Sequence, residues 1–226
     1  MFGRVVWLVL KKDLAIEARS WELVITTLFF ALSAVVVFMF AFVREGQPLE
    51  GAASGILWIA LAFAGTLALG RTFERERQGE TLRGLLLAPA SRAAVFTGKL
   101  VGIVLLLLAV ELLLVPLVVV LFQENDLLGR WPLLLALLVT GAVGFATVGT
   151  LFAAMLVRAR SRDVLLPILL YPITIPALVA GVNGTQALMA TPPAEPLAIM
   201  WIAMLVCYDV VFLTLALWVF EPLMTE

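Results

Sequence analysis

The sequence predicts an all-α integral membrane protein: six transmembrane helices preceded by an interfacial amphipathic helix. Three observations carry that expectation. First, 63% of the 226 residues are hydrophobic and only 14% are charged, more apolar surface than a soluble core of this length hides from water. Second, the apolar residues fall into runs of about 19 or more, the length needed to cross ~30 Å of hydrocarbon. Third, the runs lack the alternation of barrel strands, so helices must satisfy their backbone groups inside lipid. The whole chain, 1–226, reads as one transmembrane domain.

Residues 2–20 come first. Phe2, Val5, Val6, Leu8, Val9, Leu14 and Ile16 are mixed with charges and flanked by Trp7 and Trp21. The pattern predicts a helix lying at the cytoplasmic interface, within an interfacial segment 1–22; its alternative is a plain extension of the first span. Arg4, Lys11, Lys12, Asp13, Glu17, Arg19 and Glu22 interrupt this stretch, so no cleavable signal peptide is expected.

The spans are expected at 23–43, 51–70, 100–122, 132–157, 164–182 and 197–220. The fourth is long enough to tilt or extend past the membrane. Lys and Arg number four before the first span, six in 71–99 and three in 158–163, against Arg44 and Arg130 alone in the alternate loops. Thirteen against two predicts that both termini and the 71–99 segment face the cytoplasm.

That segment, "RTFERERQGETLRGLLLAPASRAAVFTGK", interleaves three acids with its six basic residues. Helix two is expected to continue through Arg71–Arg77 and bend at Gly79. A short amphipathic helix around Leu82–Leu87 closes at Pro89, and Ser91 caps the helix leading through Lys99 into span three. Charges of both signs beside leucines suit a surface that meets another protein. The expected contact residues are Glu74, Arg75, Arg77, Glu80, Leu82, Arg83, Leu85 and Leu86. The alternative is that the basic residues only set topology and reach lipid phosphates.

Several chemistries are excluded. The only Gly-Lys pair, Gly98-Lys99, is followed by Leu100 and has Ala93 where a phosphate-binding loop needs glycine, so ATP hydrolysis must come from a separate polypeptide. Histidine is absent, which removes a Ser-His-Asp arrangement, a His-ligated haem and a zinc triad. Cys207 is the only cysteine, so no disulfide framework exists. The chain is not expected to be an enzyme, and no catalytic or metal residue is assigned.

Two acids lie within spans, Glu111 in the third and Asp209 in the sixth. Each is read either as a polar contact in a translocation path or as a protonated structural residue at a helix interface. Ala60, Ala64 and Ala68, and Thr140 with Gly144, are small-residue patterns for close helix approach. Pro167, Pro172 and Pro176 predict a kinked or broken fifth span. The outer loop 183–196 is read as weakly polar, with a short re-entrant element before span six. Asn183-Gly184-Thr185 matches a glycosylation sequon at a frequency chance explains.

Several of these stretches, "KKDLAIEARS", "GILWIALAFAGTLALGRTFERE", "GLLLAP" with "GK", and "PILLYPITIP", resemble the haem exporter protein B (CcmB) family over essentially the whole chain. That resemblance implies an ABC-2 type exporter permease of the bacterial inner membrane, acting in cytochrome c maturation. It implies as partners a cytoplasmic ABC ATPase (CcmA-like), a haem-handling multi-span subunit (CcmC-like), a small single-span subunit (CcmD-like) and a second copy of the chain. Membrane lipid surrounds the assembly, and nucleic acid is not a partner. It further implies that ATP hydrolysis releases a haem-loaded chaperone on the outer side. No cofactor is expected on this chain alone: ATP belongs to the partner, and haem to the complex. The rivals are an ABC-2 permease for a lipid, glycan or drug, an ion-coupled transporter using Glu111 and Asp209, and a passive scaffold.

Overall fold

The computed structural model describes residues 2–44, 47–48, 51–78, 91–156, 159 and 161–223. The amphipathic stretch forms α1 (Phe2–Ser20), and six further α-helices follow among the described residues. They are α2 (Glu22–Phe42), α3 (Ala52–Gln78), α4 (Arg92–Phe122), α5 (Trp131–Met155), α6 (Arg162–Met189) and α7 (Glu195–Leu223). Helices α2 to α7 are each long and apolar enough to cross a membrane. Between α2 and α3, β1 (Val43–Arg44) and β2 (Gln47–Pro48) pair antiparallel, Val43 opposite Pro48. A 3-10 turn, Asn125–Arg130, joins α4 to α5.

The junctions show how the ends are made. Trp21 takes a left-handed φ of 51° between α1 and α2 and donates its N–H to the Glu17 carbonyl at 2.7 Å. The Glu17 carboxylate then accepts the Val24 N–H at 2.9 Å, satisfying one of the free donors at the start of α2. Helix α3 continues past its apolar part to Gln78, as the sequence predicts. Ser91 does precede α4 in an extended conformation, but its hydroxyl makes no capping bond.

Helix α6 runs through its three prolines without a break over 28 residues, which sets aside the broken form of the expected fifth span. Hydroxyl donors lie along the same stretch: Thr174 donates to the Leu170 carbonyl at 3.0 Å, and Tyr208 of α7 to the Ile173 carbonyl at 3.0 Å. Prolines are tolerated inside membrane helices, and these hydroxyls add bonds to the stretch, although the carbonyls that the prolines leave free are those of Asp163, Ile168 and Pro172. The helix also runs to Met189, so the expected loop 183–196 shrinks to 190–194 and holds no re-entrant element. Packing overrides the polar composition there: Gly184 lies against Leu137, and Thr185 is fully buried. A sequon whose threonine is buried inside a helix is not a glycosylation acceptor.

The centre of the bundle is built by glycine notches. Trp58 of α3, 1% exposed, lies between Gly141 of α5 and Gly181 of α6. A Cβ on either glycine would come within 2.1 Å and 2.4 Å of the indole. The indole N–H donates to Thr185 Oγ1 at 3.0 Å. Phe145 fills the notch at Gly65, Leu69 that at Gly149, and Leu137 that at Gly184. Ala60, Ala64 and Ala68 are fully buried, in agreement with their reading as packing residues. Lipid is as apolar as these side chains, so close dispersion contact rather than escape from water holds the helices together. Helix α7, by contrast, shows Met200, Val206, Val210 and Trp218 to its surroundings.

Candidate functional site: the charged end of the bundle

The ends of α1 and α3 and the starts of α2, α4 and α6 meet at one end of the bundle, which carries Lys12, Arg71, Lys99 and Arg162. Helix α1 packs on the first turns of α4 because Gly98 leaves room for it: an added Cβ would stand 2.9 Å from Val9 Cβ. Val9 and Leu10 are the buried residues of α1. Trp7, Leu8, Leu14 and Ile16 remain exposed.

This close approach brings charges together. Lys99 is 5% exposed, and its Nζ lies 2.7 Å from Asp13 Oδ2. The other Asp13 oxygen meets Lys12 Nζ at 3.3 Å. A buried ammonium needs such a partner, and removing one side of a buried pair typically costs about 3–5 kcal/mol. Arg162, at the start of α6 and 4% exposed, donates from its guanidinium to the Gly70 carbonyl near the end of the apolar part of α3. One residue on, Arg71 reaches Glu22 Oε1 of α2 at 3.3 Å, an exposed pair of little energetic weight. Both arms that lead into residues 79–90 are therefore tied to the bundle: α3 to α2 and α6, and α4 to α1.

Of the predicted contact residues, Glu74, Arg75 and Arg77 belong to the last turns of α3, with side chains outside the described part. Glu80, Leu82, Arg83, Leu85 and Leu86 lie outside the described residues, as do the bend at Gly79 and the short helix expected around Leu82–Leu87.

The two intramembrane acids are separate features. Glu111 is 2% exposed in α4, and neither of its carboxyl oxygens has a hydrogen-bond partner among the described residues. Asp209 of α7 sits against Gly144, where an added Cβ would come within 2.6 Å of Oδ1, and that oxygen is likewise unpartnered. No hydrogen bond joins the two. A charge at mid-bilayer costs roughly 2.5–3.5 kcal/mol or more, so an unpartnered carboxyl in the interior is costly to keep ionised.

Sequence reasoning counted Lys99 and Arg162 only as topological charges and missed the Asp13 partnership. The signal was present in part: Gly98 and Gly102 beside a lone lysine at a helix start mark a place where another element can approach. The target of Arg162 is a backbone carbonyl, which no residue type announces.

A family model described as CcmB protein matches residues 4–222. The chain is similar to a curated "Heme exporter protein B" of Rhodobacter capsulatus, 30% identical over 199 residues, covering 84% of this chain and 88% of that one. A protein of the same description from Pseudomonas aeruginosa is 27% identical over 188 residues, covering 83% and 82%. A third, from Shigella flexneri, is 29% identical over 195 residues, covering 84% and 85%.

Proposed function

Since this chain belongs to the CcmB family, we propose that it is the membrane-spanning permease subunit of an ABC exporter serving haem export for cytochrome c maturation. It is a multi-pass membrane component and not itself an enzyme. The charged end is the cytoplasmic end, with both termini there, as the thirteen-to-two distribution of Lys and Arg supports. Helix α1 lies in the interface plane, its exposed Trp7, Leu8, Leu14 and Ile16 meeting lipid. The architecture is that of ABC-2 type exporters, with two copies of the chain completing the transmembrane part.

The observation that carries the mechanism is the pair of anchored arms. An ATPase of the CcmA kind docks on residues 71–99, through Glu74, Arg75, Arg77, Glu80, Leu82, Arg83, Leu85 and Leu86. Its closure displaces the end of α3 and the start of α4 together. Arg162 passes the displacement of α3 to α6, and Lys99 passes that of α4 to α1, because each is a buried cation that reaches an oxygen on the neighbouring element. Glu111 and Asp209, unlinked to each other, do not support an ion-coupled transporter. Haem ligation lies on another subunit, a CcmC-like one, since this chain offers no histidine; a small CcmD-like subunit completes the assembly.

Pull-down of the detergent-solubilised complex tests the docking. Arg77→Glu and Leu85→Asp are expected to lose ATPase association, and co-purification at wild-type stoichiometry sinks it. Arg162→Ala is expected to retain association while ATPase activity no longer responds to the membrane subunit. Normal holocytochrome c levels in a deletion strain would remove the haem assignment.

A further inference from the structure

A cavity of about 290 Å³ opens between α1, the start of α2 and α4. Its chemistry changes along its length. At the charged end it is lined by Lys12, Asp13, Glu17, Thr72 and Lys99. Deeper, the walls are Leu23, Ile103, Leu106 and Ala109. From Lys99 to Ala109 the lining follows α4 for ten residues, about 15 Å at 1.5 Å per residue. A polar mouth above a hydrocarbon slot of that depth suits an amphiphile with a charged head and an extended chain.

Two further observations narrow the ligand. Thr72 Oγ1 is buried at the mouth and has no hydrogen-bond partner among the described residues. Such an atom is costly to leave unsatisfied, and a ligand headgroup oxygen can satisfy it. The four charges at the mouth are two cations, Lys12 and Lys99, and two anions, Asp13 and Glu17, so their sum is zero. A purely anionic head would meet the carboxylates at the same time as the lysines. A head carrying both signs matches both. Among the described residues no His, Cys, Met or Tyr lines the cavity, so these offer an iron porphyrin no ordinary axial ligand.

We propose that this cavity binds one zwitterionic membrane phospholipid of the phosphatidylethanolamine type. The phosphate lies at Lys12 and Lys99 and accepts the Thr72 hydroxyl proton in a hydrogen bond. The ammonium faces Glu17, and one acyl chain fills the slot between α2 and α4. The site is independent of what the protein exports.

The test uses the full-length chain in its complex, delipidated in mild detergent, with binding read by native mass spectrometry. Titration with phosphatidylethanolamine is expected to saturate at one lipid per chain. Phosphatidylglycerol is expected to bind about ten-fold more weakly, a difference of 1.4 kcal/mol. Ala109→Phe, at an exposed slot position, and Thr72→Val should each lower phosphatidylethanolamine affinity by about ten-fold or more. Gly55→Ala, outside the cavity lining and with nothing within 4 Å of the added Cβ, should bind as wild type, and circular dichroism keeps a folding defect distinguishable. Equal affinity for the two lipids, wild-type binding by both slot variants, or displacement of the lipid by haemin at one equivalent would each overturn the assignment.

Discussion

The middle of the bundle and its charged end are assembled by opposite means. In the middle, Trp58, Phe145 and Leu137 fill notches at Gly141, Gly181, Gly65 and Gly184. At the charged end, Lys99, Arg162 and Arg71 reach across to oxygens on neighbouring helices. Notched packing has one good arrangement and resists sliding, because each displacement opens a void or a clash. A long cationic side chain can follow its partner over an ångström or two. The proposed transmission of a push from residues 71–99 to the helices would draw on both kinds of region.

The contrast can be broken most forcefully in the middle. Gly181→Ala places a Cβ within 2.4–2.6 Å of three indole atoms of Trp58 and is expected to destabilise by about 1–3 kcal/mol. Gly70→Ala, at the charged end of the same core helix α3, meets nothing within 4 Å and is expected to be neutral or stabilising by about 0.5–1 kcal/mol. Thermal unfolding in detergent measures both, and equal effects would erase the distinction.

Glu111 sharpens it next. A carboxyl with no partner in an apolar interior is costly, so Glu111→Leu is expected to raise the unfolding midpoint, by the equivalent of about 1–3 kcal/mol. If transport falls while stability rises, the acid serves function at the expense of packing. A lower midpoint would make it structural. Arg71→Ala comes third. Its ion pair with Glu22 is exposed on both sides, so less than about 0.5 kcal/mol should be lost.

The smallest effect lies at the opposite end. Glu124, in the link between α4 and α5, has its carboxyl pushed above the ordinary range, first by burial and then by the negative charge of Asp126. An acid whose folded-state value is raised favours the folded protein in its protonated form. Its contribution is therefore complete below the ordinary carboxylate range and is lost as pH rises through the higher value. Unfolding midpoints should fall slightly over that interval, and Glu124→Gln should remove this component.

How much of this was legible beforehand follows from what each residue does locally. The helices could be read because the hydrocarbon thickness sets their length, and unpaired backbone groups cannot enter lipid. The run of α3 to Gln78 was readable for a related reason: nothing before Gly79 breaks a helix. The extent of α6 was misjudged because Asn183, Gly184 and Thr185 look like loop residues until Leu137 and Trp58 are seen against them.

The charged end was legible as a place but not as an arrangement. Charge counts located the arms at 71–99 without naming Asp13 or the Gly70 carbonyl as their anchors. The sequence by itself determined the class, the number of spans and the end where charge collects, since these depend on composition along one segment at a time. The tertiary structure alone decided which glycine receives which ring, which oxygen holds each buried cation, and where an amphiphile's slot opens. Those depend on distances between segments far apart in the chain, and no local pattern encodes them.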